Sequence, residues 1–80
     1  MATTYNNLYL DIRQQLRGAG IEAATLEARE LVCFGTGKSR EELQRDGGLY
    51  ASPELERRVR TLVDRRLAGE PVAYLIGEWE

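Results

Sequence analysis

Residues 65–80 read Arg65-Arg66-Leu67-Ala68-Gly69-Glu70-Pro71-Val72-Ala73-Tyr74-Leu75-Ile76-Gly77-Glu78-Trp79-Glu80. This stretch decides the fold. Its opening residues continue a charged, helix-period pattern, and Gly69 is the natural left-handed residue to end it. Pro71 then starts a fifth, short helix that is apolar as far as Ile76. Six residues do not hold as an isolated helix. Being apolar all round, the segment is expected to be surrounded by other helices. The final Glu78-Trp79-Glu80 alternates but is too short to read as a strand.

Upstream, Ser52-Pro53-Glu54-Leu55 is a helix start. Ser supplies the N-cap, Pro fits the first helical position, and Glu suits the positive end of the dipole. The helix is expected over Pro53–Ala68, with Leu55, Val59, Leu62, Val63 and Leu67 on one face. Ser39-Arg40-Glu41-Glu42 is a capping box opening a short helix that carries Leu43 and breaks at Gly47-Gly48. Before it, a helix from Ala24 to Phe34 would bury Leu26, Ala28, Leu31, Val32 and Phe34 and stop at Gly35 and Gly37. Thr4 caps the first helix, where Tyr5, Leu8, Tyr9, Ile12 and Leu16 recur at helical spacing. Gly18 and Gly20 end it, and Ile21 is a loop residue tucked into the core. No stretch shows the period-2 alternation of a strand. The expected fold is all-α, a small bundle of about five short helices. Its central cluster would join Ile12, Leu16, Leu31, Leu62, Val63 and Leu75.

Eighty residues make one domain. A chain of this size buries roughly 60% of its unfolded surface, so its stability margin is thin. A net charge of -2 leaves no general footprint for nucleic acid. No apolar run is long enough to span a bilayer, and there is no export leader. The single cysteine, Cys33, cannot form an internal disulfide, which fits a reducing cytoplasm. With histidine absent, the residues argue against a zinc site.

Several local patterns invite sharper readings. Gly35-Thr36-Gly37-Lys38-Ser39 looks like part of a phosphate loop, but that motif needs a glycine where Val32 stands and a strand where a helix precedes. The second and third helices look like a helix-turn-helix, but the third mixes Glu41, Glu42 and Asp46 into its reading face. Arg57, Arg58 and Arg60 have guanidinium forks that suit a protein or RNA partner, but they read as a solvated face with Glu54, Glu56 and Asp64 as partners. Cys33 has no base nearby in sequence and reads as a packed thiol. Tyr74 reads as part of the packed segment, its hydroxyl satisfied at the edge.

The run Arg65-Arg66-x-x-Gly69-Glu70-Pro71-Val72-Ala73-Tyr74-Leu75-x-Gly77 resembles the signature closing the N-terminal helical domain of the HemK/PrmC family. Gly20-Ile21, Leu26-Glu27-Ala28, Leu31-Val32 and Ser52-Pro53-Glu54-Leu55 support the resemblance. The chain departs from the family where Ala23-Ala24 replaces Ser-Pro and Glu27 replaces Asp. Members of this family methylate a glutamine of peptide release factors. The resemblance implies a parent enzyme that carries a methyl group from S-adenosylmethionine to the Gly-Gly-Gln loop of a class 1 peptide chain release factor. Residues 1–77 would be a substrate-recognition domain, and residues 78–80 the start of a hairpin leading to the parent's own C-terminal catalytic domain. Within the motif, Arg65, Arg66, Glu70 and Tyr74 are the candidate partner contacts. No catalytic, cofactor or metal residue is expected in this stretch of chain, because no glycine-rich strand-to-helix turn and no Asn-Pro-Pro-Tyr motif is present. Direct nucleic-acid or membrane binding is not expected. The rival reading is a stand-alone all-α interaction module without a catalytic partner domain.

Overall fold

Thr4 accepts a hydrogen bond at its Oγ1 from the Asn7 amide (3.1 Å), and the chain turns at once into α1, Tyr5–Gly18. The computed structural model describes residues 3–77. Four further helices follow: α2 (Ala24–Thr36), α3 (Arg40–Arg45), α4 (Pro53–Leu67) and α5 (Val72–Leu75). The all-α expectation holds, with one addition. Thr3–Thr4 (β1) and Tyr50–Ala51 (β2) pair as a two-residue antiparallel ladder, Thr3 opposite Ala51. Just after it, the Tyr5 and Asn6 amides donate to the carbonyls of Leu49 and Gly47, both at 3.0 Å. Two free amides at the head of α1 are thereby satisfied by the loop before β2.

Leu8, Ile12, Leu16, Leu31, Val32 and Val59 are fully buried, with Val63 and Leu75 beside them. Thus α1, α2 and α4 meet along one apolar seam. The expected cluster forms, except that Leu62 sits partly buried at its edge. Ile21 packs against the core as expected, and its amide closes the end of α1 on the Leu16 carbonyl (3.1 Å). Leu26, Phe34 and Leu67 depart from expectation, being 53%, 43% and 42% exposed. They flank the seam rather than entering it.

Gly35 does not stop α2. The helix continues through it to Thr36, and Gly37 is the left-handed cap. The reason is contact with α4. A Cβ on Gly35 would stand 2.6 Å from Val59 Cγ2 and 3.2 Å from Val59 Cα, so the helices approach only because no side chain is there. The predicted caps at Ser39 and Ser52 are present. Ser39 and Glu42 exchange both bonds of the capping box, and Ser52 accepts from Leu55. Among the described residues, no helix is long and apolar enough to cross a membrane.

Candidate partner-binding surface

The end of α4 is a corner built from its own sequence. Gly69, at φ +112°, lets the chain reverse. Its amide donates to the Arg66 carbonyl (3.0 Å), and the Glu70 amide donates to the Arg65 carbonyl (3.2 Å). This pair of bonds is a Schellman closure. Glu70 then folds back onto Arg65, taking Nη2 at 2.8 Å and Nε at 3.2 Å in a two-point ion pair. Arg66 points elsewhere. Its Nε is 2.8 Å from Glu27 Oε1, tying α4 to α2, and both side chains are half-buried. The carboxylate at position 27 therefore has a partner in the helix it packs beside.

Pro71 takes the cap position of α5, not its first helical position. Only Val72 and Leu75 of this turn are buried. Ala73 is exposed, and Tyr74 is 56% exposed, so the segment is one-sided rather than enclosed. Two apolar side chains suffice to pin a four-residue helix whose other face is open. The four motif residues thus separate. Arg66 is an internal tie, while Arg65, Glu70 and Tyr74 lie together along an outer edge.

The other arginines of α4 divide similarly. Arg60 reaches Asp11 of α1 at 2.6 Å and Glu56 at 3.4 Å. Arg57 and Arg58 have no ion-pair partner among the described residues, contrary to the expected pairing with Glu54, Glu56 or Asp64. They border an open groove whose floor is Phe34, Leu55 and Leu62. Periodicity alone assigned Phe34 to the core and so missed this groove. Sequence spacing offered no clear clue, because Glu54 stands three and four residues before Arg57 and Arg58, at pairing distance on a helix. Cys33 is half-buried, and that burial pushes its thiol up despite Arg29 and Arg40 nearby. Such a thiol is a poor nucleophile. Among the described residues, no three His, Cys, Asp or Glu side chains cluster to hold a metal ion.

The family model described as PrmC N-terminal domain matches residues 7–77. The chain belongs to that family. A release factor glutamine methyltransferase of Haemophilus influenzae is 36% identical over 59 residues, which cover 74% of this chain and 20% of that protein. This PrmC N-terminal domain therefore spans about a fifth of the curated relative it matches. No solved structure matches it. The matched segment runs from the first turn of α1 through α5 to Gly77.

Proposed function

We propose that the chain is the N-terminal, partner-positioning domain of an S-adenosylmethionine-dependent enzyme that methylates the Gly-Gly-Gln loop of class 1 release factors. The observation that carries this reading is the family match over residues 7–77, joined to a relative named as a release factor glutamine methyltransferase. On this reading residues 1–77 form the domain, and residues 78–80 begin the connection to a catalytic domain that supplies the methyl chemistry in a reducing cytoplasm. The cofactor belongs to that second domain. A pocket of its class needs a glycine-rich turn between strand and helix, whereas Gly20, Gly37 and Gly69 of this chain lie at helix C-termini. The donor set of the described residues does not fit it, and no methyl-transfer step is assigned to them.

The contribution of this domain is orientation. A glutamine amide is a weak nucleophile, so its rate depends on how well it is held against the methyl donor. Gripping the body of the release factor supplies that alignment from a distance. The exposed edge of Arg65, Glu70 and Tyr74 contributes to the grip, and Arg66 acts by holding the corner on α2. In the enzyme carrying this domain, Tyr74→Ala should raise KM for the whole factor about fivefold or more, the size of a modest interface contact. Turnover of a short Gly-Gly-Gln peptide should be unchanged, because the peptide does not reach this domain. Equal losses on both substrates would refute the positioning role.

A further inference from the structure

We infer that the groove between the end of α2 and the outer face of α4 is the main docking surface of this domain, and that it receives an apolar protein side chain flanked by carboxylates. The inference deepens the positioning role above and rests on it.

Three observations carry it. The groove, about 570 Å³ in volume, has an apolar floor of Phe34, Leu55 and Leu62. Phe34 stays 43% exposed there, although its helix buries Leu31 and Val32 just before it. Second, the rim is cationic and uncommitted. Of the five arginines on α4, Arg60, Arg65 and Arg66 are spent on internal carboxylates. Arg57 and Arg58 are exposed and have no such partner among the described residues. Glu54 also borders the groove, leaving an excess of positive charge on a chain whose net charge is -2. Third, helical spacing sets Glu54, Arg57, Arg58, Thr61 and Arg65 on one face of α4. Arg65 of the corner thus shares the face of α4 that borders the groove.

An aromatic floor beside two free guanidinium groups fits a partner with an apolar anchor and acidic neighbours. Guanidinium forks take carboxylates at two points, and the exposed ring gives the anchor a dry seat. RNA is the weaker match. Two arginines make a short stripe, Glu54 interrupts it, and sequence-tolerant RNA grooves are longer and lined by several cations.

The test is a titration of the nitrogen-15-labelled chain with a purified class 1 release factor, followed amide by amide. The amides of Phe34, Arg57, Arg58 and Thr61 should shift. The double change Arg57→Glu and Arg58→Glu should weaken binding about tenfold or more, since it sets like charges against the partner. Both side chains are exposed, so the variant should keep a dispersed, folded spectrum. Phe34→Ala, a second and milder variant, should also weaken binding while its spectrum stays folded. Shifts confined to residues 70–77, with full affinity in both variants, would overturn the groove and leave the positioning role standing. No shift anywhere at saturating factor would overturn both. Tighter binding of a single-stranded RNA oligonucleotide to the same amides would overturn the protein assignment.

Discussion

At Gly35, α2 and α4 meet with no room for a side chain. Gly35→Ala gains about 1 kcal/mol of helix propensity, but crowding Val59 costs about 1–3 kcal/mol. The variant should be less stable in urea unfolding. A gain in stability would mean that α2 and α4 separate easily. The core is ranked by the same reasoning. Leu31 is fully buried and Leu62 only partly so. Leu31→Ala should cost about 2–5 kcal/mol, and Leu62→Ala distinctly less. The reverse order would show that Leu62, not Leu31, carries the seam. Periodicity found Leu8, Ile12, Leu16, Leu31, Val59 and Val63 because each lies on the inner side of a long helix. It misassigned Leu26, Phe34 and Leu67 because a stripe of apolar residues is wider than the line along which two helices touch. It also read Gly35 as a stop, since sequence does not distinguish a glycine that ends a helix from one that admits a neighbour.

Helix starts were the most legible elements, because capping is local chemistry between residues three apart. Thr4, Ser39 and Ser52 all cap as their sequences require. The β1–β2 ladder was not legible. Two residues per strand carry no period, and the pairing joins positions 3 and 51 across most of the chain. The corner after α4 was legible as a stop at Gly69, but its ion pairs were not. Arg65 and Arg66 read as possible partner contacts, and only the helix geometry turns Arg66 inward to Glu27. At φ +112°, any side chain on Gly69 is strained. Gly69→Ala should destabilise the domain by about 1–3 kcal/mol and loosen the Arg65–Glu70 pair. An unchanged melting temperature would show that the corner is not needed. The end of α3 offers a pH test. Hydrogen bonds from Arg45 and Lys38 hold the Asp46 carboxyl at about 2, below its ordinary 3.8. A lowered folded pKa stabilises the fold above the unfolded value, and that stabilisation disappears as pH falls toward the folded one. The stability difference between the wild-type chain and Asp46→Asn should therefore be flat above about pH 4 and shrink as pH falls to about 2. A difference that grows on acidification would contradict the assignment.

On the scale of the whole molecule, three helices share one small core, and charged ties fasten α4 to its neighbours through Arg60–Asp11 and Arg66–Glu27. On α4, three of the five arginines, Arg60, Arg65 and Arg66, are held in ion pairs. The partner surface proposed above is a band along α4 that begins at the Phe34 groove. Gly20, Gly37 and Gly69 take left-handed conformations at helix ends, and Gly35 admits a neighbouring helix. Residues 78–80, expected to begin a hairpin, lie outside the described residues. If alignment is the role, removing the domain must damage capture of a large substrate and spare a small one. The direct measurement is steady-state methyl transfer by the parent enzyme with and without residues 1–77, using a whole class 1 release factor and a short Gly-Gly-Gln peptide. Loss of the domain should lower kcat/KM for the factor by about tenfold or more, as expected when substrate-positioning contacts are lost, while kcat/KM for the peptide stays the same. An equal change for both substrates, or none for the factor, would contradict a positioning role for this domain.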